Sequence, residues 1–163
     1  MERVGECGTS SQSPKVKWIE IPVRHLLLYG EYELNIDEKS RLLIPSEVRK
    51  QLDPERDGDG FFLVVGVNRV PWVYPERYYE ELVARRPAEL TPGEDALAFD
   101  QFNFALASKL ELDSQGRVGI PQKTMKRSGL EKEVTLIGVR DHLELWNRTD
   151  WERRRQALEE RRF

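Results

Sequence analysis

Two short stretches of this chain repeat one another. "IDEKSRLLIP" at residues 36–45 and "LDSQGRVGIP" at residues 112–121 each carry an Asp, three intervening residues, an Arg, and then Ile-Pro. Leu34, Asp37, Arg41, Ile44 and Pro45 coincide with Leu110, Asp113, Arg117, Ile120 and Pro121 at one offset. After a slightly shorter turn in the second copy, Gly66, Val67 and Glu80 coincide with Gly138, Val139 and Glu152, and Tyr79 lies opposite Trp151. Identity at this many spaced positions is an internal repeat. Units of about 55 residues bury too little of their surface to be stable alone. The repeat therefore predicts one pseudo-symmetric domain with a shared core.

Each half presents the same order of elements. In the first, "EYELNI" alternates as a half-buried strand should, "DEKS" turns, and "RLLIP" opens a second strand. "SEVRKQL" reads as a short helix with Ser46 as its cap, ended by the turn-rich "DPERDGDG". "FFLVVGV" is a buried strand, "PWVYP" an extended piece and "ERYYEELVARR" a helix. "SKLELD", "SQG", "RVGIP", "QKTMKRSG", "EVTLIGV", "HLELW" and "DWERRRQALEERR" repeat that order. Pro87, Pro92 and Gly93 break the chain between the halves. Beyond the break, "EDALAFDQFNFALAS" suits an amphipathic helix whose Ala98, Phe102 and Ala105, with Phe99 and Leu106, pack as core. Arg155 and Glu159 near the C-terminus are spaced for a pair on a solvated helix face. The expected division is a flexible N-terminal extension (1–28), a first repeat (29–86), a linker with a helix (87–107) and a second repeat with a C-terminal helix (108–163). Within the extension, residues 1–17 are Ser- and Gly-rich, whereas the segment beginning "WIEIPV" at Trp18 is apolar enough to pack on something.

Composition removes several classes of function. Cys7 is the only cysteine, and His25 and His142 are the only histidines, so neither a disulfide nor a Cys-based metal cluster is expected. Phosphate-cradling glycine loops and nucleophile elbows are absent, and the chain does not read as an enzyme. No small-molecule substrate or cofactor is implied. No apolar run approaches the roughly 20 residues of a membrane span, and the first residues lack a signal-peptide layout, so a cytoplasmic location is the default expectation. The net charge of −3 argues against a nonspecific polyanion binder, but not against one whose basic groups are concentrated at one place.

The Asp-x-x-x-Arg element has three readings. As pure architecture, an Asp at a strand end accepts hydrogen bonds from the following turn, Gly116 supplies a positive φ, and the Arg restarts the chain. As a recognition device, a rigid tip carrying Arg41, with Lys39 two residues away on what strand geometry would make the same side, suits phosphate or guanine. As catalysis, Asp37 and Asp113 would form an acid/base couple, yet no nucleophile, orienting His or metal-ligand cluster accompanies them.

"GEYELNIDEKSRLLIP", "VYPERYYEEL", "ELDSQGRVGIP", "GLEKEVTLIGV" and "LELWNRTDWE" resemble the MraZ family, bacterial transcriptional regulators of the division and cell wall gene cluster, within the wider SpoVT-AbrB group. The resemblance covers about residues 29–158. It implies an α+β, β-rich, AbrB-like swapped-hairpin fold with short helices, the two repeats forming an intramolecular pseudo-dimer. It also implies nucleoid association, assembly of subunits into a ring, and binding of double-stranded DNA at tandem promoter repeats. The family's motif falls on Asp37, Lys39, Arg41, Asp113, Gln115, Gly116 and Arg117. Lys39, Arg41, Gln115 and Arg117 are then the expected DNA-contacting residues, with Asp37, Ser40, Asp113 and Gly116 holding the turns. Ser40 departs from the family's glycine at that place; a left-handed backbone there would strain it by roughly 1 kcal/mol. The departure, together with acidic Glu94, Asp95 and Asp100 and the added N-terminal segment, motivates an alternative: a ring-forming interaction or scaffold protein of the same fold with weakened or lost DNA binding.

Overall fold

A computed structural model describes residues 26–161. The expected flexible extension (1–28) lies outside the described residues up to residue 25. Leu26 and Leu28, however, are buried in the core and Leu28 exchanges backbone bonds with Arg140, so the folded part begins before residue 29. The first repeat contributes β1 (Glu31–Asn35), β2 (Arg41–Leu43), α1 (Ser46–Lys50), α2 (Pro54–Asp57), β3 (Gly60–Val65), β4 (Pro71–Pro75) and α3 (Glu76–Arg85). Helix α4 (Glu94–Leu106) follows, and the second repeat adds β5 (Ser108–Glu111), β6 (Arg117–Gly119), α5 (Gln122–Ser128), β7 (Glu133–Gly138), β8 (Leu143–Asn147) and α6 (Arg148–Glu160).

The strands form a six-stranded sheet in the order β1-β7-β8-β4-β3-β5 and a separate two-stranded ribbon of β2 with β6. Every pairing is antiparallel. The order is symmetric about the β8–β4 seam, and it is exchanged: β1 of the first repeat lies against β7 of the second, while β5 of the second lies against β3 of the first. This is the swapped-hairpin pseudo-dimer. Leu34 of β1 sits opposite Val134, and its repeat partner Leu110 of β5 sits opposite Phe61. Phe61, Leu63, Val134, Leu136, Leu143 and Leu145 make a core common to both halves.

The registers refine the repeat. Phe61 and Val134 occupy equivalent places, so Val65 is equivalent to Gly138 and Gly66 to Val139. Gly66 N donates to Val70 O at 2.8 Å, and Val139 N donates to His142 O at 2.9 Å. The second copy is thus three residues shorter between Ile-Pro and this strand and one residue shorter in the turn after it, so Gly66 and Gly138, matched by identity, stand one position apart in the sheet. Each is glycine for its own reason. A Cβ at Gly66 would enter the Trp72 indole, and one at Gly138 would enter the backbone of Tyr29.

Three local expectations need correction. Ser46 is the first residue of α1 and not its cap; Pro45, held extended at φ −55 and ψ 144, precedes the helix without a side-chain cap bond. "DPERDGDG" contains the one-turn helix α2, because Asp53 accepts from Glu55 N at 3.0 Å and Pro54 is preset for a first helical position. The aromatic residues of α4 are not core: Phe99 and Phe102 remain 56% and 52% exposed, and in this helix only Leu106 is buried. On α6, Arg155 and Glu159 lie 3.9 Å apart, an exposed pair of small energetic weight.

The two halves of the sheet meet through only two residue pairs, Trp72 with Glu144 and Val73 with Leu143. His142 is buried at this seam, stacked on the Trp72 ring with centroids 4.2 Å apart. Its Nδ1 is 2.7 Å from Asp141 Oδ1 and its Nε2 is 3.2 Å from Glu144 Oε1. Tyr78 and Trp146 donate to the remaining oxygens of the two carboxylates. Burial alone would lower the His142 pKa, but the hydrogen bonds to Glu144 and Asp141 outweigh it and raise it above 6.5. A raised histidine stabilises the fold fully below its unfolded pKa and loses that contribution as pH rises through the folded value. Thermal midpoints followed by calorimetry should therefore decline from pH 6 toward pH 9, and His142→Asn should flatten that part of the profile.

Candidate nucleic-acid interface

The two Asp-x-x-x-Arg elements fold identically. Asp37 Oδ1 accepts from the backbone N–H groups of Lys39 (2.9 Å) and Arg41 (2.8 Å), and Oδ2 accepts from Arg41 Nε at 2.8 Å. Asp113 Oδ1 accepts from the N–H groups of Gln115 and Arg117, and Oδ2 from Arg117 Nε, each at 2.9 Å. Backbone bonds close the same turns, from Asp37 N to Arg41 O and from Asp113 N to Arg117 O, both 2.9 Å. The hydrogen bonds from Arg41 and Arg117, those of their backbone N–H first, hold the two carboxyls below the usual aspartate range. Both stay ionised and occupied, which removes the acid/base couple as a reading.

Ser40 has φ 58 and Gly116 has φ 78. The apex residue is thus left-handed in both copies, and Ser40 keeps the geometry that glycine adopts freely. The reason lies across the ribbon: the Ser40 carbonyl accepts from Ile120 N at 2.7 Å, and the Gly116 carbonyl accepts from Ile44 N at 3.0 Å. Each apex is thereby locked to the strand that follows the other tip. The apices also have different supports. Gln122 Nε2 donates to Ser40 Oγ at 2.7 Å, whereas the Arg49 guanidinium lies over Gly116, where a Cβ would sit 3.0 Å from its Cζ.

Pairing of β2 with β6 brings the tips onto one surface. Leu42 and Val118 face each other and are buried. Arg41 lies opposite Gly119, and Leu43 opposite Arg117, on the outer face. This diagonal puts the two arginine Cα atoms roughly 7–8 Å apart. With Nε held by its own Asp, the two Nη groups of each guanidinium have no hydrogen-bond partner among the described residues, and the side chains stay partly exposed, 33% for Arg41 and 25% for Arg117. Lys39 and Gln115 occupy the exposed turns. The two-residue spacing of Lys39 and Arg41 does not carry strand alternation, because left-handed Ser40 stands between them.

Sequence reasoning overlooked the helices beside the ribbon. Arg49 and Lys50 on α1, and Lys123, Lys126 and Arg127 on α5, are all exposed. The signal was present: basic residues follow Ile-Pro within one short helix in both repeats. Among the described residues, no helix is long and apolar enough to cross a membrane, and no group of His, Cys, Asp or Glu is arranged to hold a metal ion.

The family model described as "MraZ protein, putative antitoxin-like" matches residues 27–100 and 104–163. This chain belongs to the MraZ family. Proteins named "Transcriptional regulator MraZ" from Acetivibrio thermocellus, Clostridium tetani and Desulforamulus reducens are 36%, 37% and 32% identical to it. The matches span 77%, 77% and 78% of this chain and 85%, 85% and 86% of those relatives. MraZ proteins are transcriptional regulators and not enzymes. The MraZ match takes in both tips and both flanking helices.

Two effects oppose each other at Ser40. Replacement by glycine removes roughly 1 kcal/mol of left-handed strain but also the bond from Gln122, worth about 0.5–1.5 kcal/mol. Urea denaturation of Ser40→Gly should therefore shift stability by less than about 1 kcal/mol. Gln122→Ala should be costly in the parent and neutral beside Ser40→Gly. Gly116→Ser, which gains no such partner and meets Arg49, should lose more than about 1 kcal/mol.

Proposed function

We propose that this protein is a sequence-specific DNA-binding transcriptional regulator that reads double-stranded DNA with the β2–β6 ribbon. The observation that carries the reading is the ribbon itself: two arginines, each aimed by an aspartate, share one exposed face. A two-stranded ribbon fits the major groove, and an arginine fork offers two donors to guanine O6 and N7. Holding Nε on the Asp orients that fork before binding, which lowers the ordering cost on contact. Arg41 and Arg117 are the base-reading groups in this scheme. Lys39 and Gln115 flank them, and Asp37, Ser40, Asp113 and Gly116 set the turns.

Charge supports a division of labour. Each tip arginine is neutralised by its aspartate, so the ribbon offers directed hydrogen bonds more than net charge. Phosphate contact falls to Lys39 and to the basic residues of α1 and α5. This reconciles a chain of net charge −3 with a polyanionic target, because only one face has to be basic.

A single ribbon with a few contacts releases DNA readily. The proposed remedy is multivalency: copies arranged in a ring engage tandem, G-containing direct repeats upstream of the division and cell wall gene cluster. Linked engagement raises avidity by about 10²–10⁴-fold. Such a regulator works in the cytoplasm, on the nucleoid. The alternative, a ring-forming scaffold of the same fold without DNA binding, loses the support it drew from Ser40, whose backbone matches that of Gly116.

Gel retardation with a tandem-repeat promoter fragment tests the reading. Arg41→Ala should remove about 1–3 kcal/mol per site, enough over several sites to abolish the retarded band. Parent-like binding by that variant refutes the assignment, and absence of a band for the parent protein at low salt favours the scaffold. In a salt titration of the same complex, Lys39→Ala should weaken binding to all sequences alike and reduce the salt slope by about one for each phosphate left without its lysine.

A further inference from the structure

The two tips of the ribbon share a backbone but not their side chains. Ser40 at the first apex is equivalent to Gly116 at the second, and Gln122, which follows Pro121, is equivalent to Ser46, which follows Pro45. Both members of the Ser40–Gln122 pair therefore occur at one tip only. Ser46 Oγ instead donates to Glu47 Oε2 at 3.3 Å.

Gln122 is exposed, and an exposed glutamine ordinarily samples many rotamers. This one is held, because its Nε2 donates to Ser40 Oγ at 2.7 Å. That bond uses one of the two amide hydrogens. The second hydrogen and the carbonyl Oε1 have no partner among the described residues. The bond also sets Gln122 beside Arg41, whose Nε is tied to Asp37. The first tip thus carries two forks, each held at one nitrogen. The guanidinium offers donors, and the amide offers one donor and one acceptor.

A mixed donor–acceptor pair is selective. In the major groove adenine presents an acceptor at N7 and a donor at N6, and an amide satisfies both. Guanine presents acceptors at N7 and O6, which would set O6 against Oε1. Cytosine presents only a donor, and thymine only an acceptor beside its methyl group. A phosphate would leave Oε1 facing negative charge. Adenine alone uses the whole amide. We propose that Gln122, held by Ser40, reads an adenine next to the guanine contacted by Arg41. The inference rests on DNA reading by the ribbon. It gives the two halves of the site different sequences, because at the Gly116 tip the Arg49 guanidinium lies over the apex instead.

Selection from duplex DNA carrying randomised segments, with the full-length protein, tests this. The parent should enrich guanine with adenine at one neighbouring position. Gln122→Ala should keep the guanine and lower the adenine preference at least about fivefold, the low end for a bidentate base contact. Gln122→Glu has only acceptors and should shift that position toward cytosine, whose N4 donates. Ser40→Gly leaves the amide unheld and should weaken the adenine preference but not the guanine preference. Retained guanine in each variant shows that the ribbon is folded. In the parent's selected site, 7-deazaadenine, which lacks the N7 acceptor, should weaken binding by the parent and leave Gln122→Ala unchanged. An adenine preference unaltered in Gln122→Ala or in Ser40→Gly overturns the assignment. So does a parent that tolerates 7-deazaadenine, or one that enriches guanine with no adenine beside it. A parent that enriches no sequence overturns the DNA reading as well.

Discussion

Asp37 and Asp113 each take two backbone N–H bonds and one guanidinium bond within five residues of chain. These carboxylates are the constraint on which the rest depends. With them the apex residue stands in the left-handed region, and its carbonyl accepts from the opposite strand. The third of these bonds, from Nε, holds the guanidinium. Turn, interlock and presentation of the arginine are therefore one arrangement, and a change to the carboxylate disturbs all three together. Because the carboxylates are held in their charged form by donors that exist only in the folded turn, this arrangement is kept above the acid range and weakens as pH falls through it.

The exchange of hairpins makes the two repeats one cooperative body. Neither half owns a complete sheet, since its outer strand is lent to the other. The seam between β4 and β8 is short, so much of the cohesion between halves lies in the exchanged strands and in the ribbon. His142, clamped by Asp141 and Glu144 and stacked on Trp72, reinforces that seam with a charged contact in a partly buried place.

The repeat was legible because strand alternation, turn residues and Ile-Pro recur at a fixed spacing, and these are local features. What local patterns omit is partnership. The sequence of α4 shows apolar residues at helical spacing, but not whether a neighbour lies against them, so Phe99 and Phe102 read as core and are exposed. Matching Gly66 with Gly138 by identity put the whole shortening of the second copy before the strand, whereas one residue of it falls in the turn after, because the backbone register is set by ladder bonds and not by residue type. Lys39 and Arg41 looked co-facial until Ser40 proved left-handed. Arg49 and Gln122 were missed because each supports the tip of the other repeat, a relation that no spacing along the chain encodes.

The unequal supports of the two tips have a consequence for the kind of site that can be read. A dimer of identical chains has an exact two-fold axis, which favours palindromes as targets. Here the two hairpins are joined in one chain and have been free to diverge: Ser40 with Gln122 at one tip, Gly116 under Arg49 at the other. The ribbon therefore has a head and a tail. On the function proposed above, such a ribbon would lie on its site in one orientation, and successive copies facing the same way would match sequences repeated in the same direction.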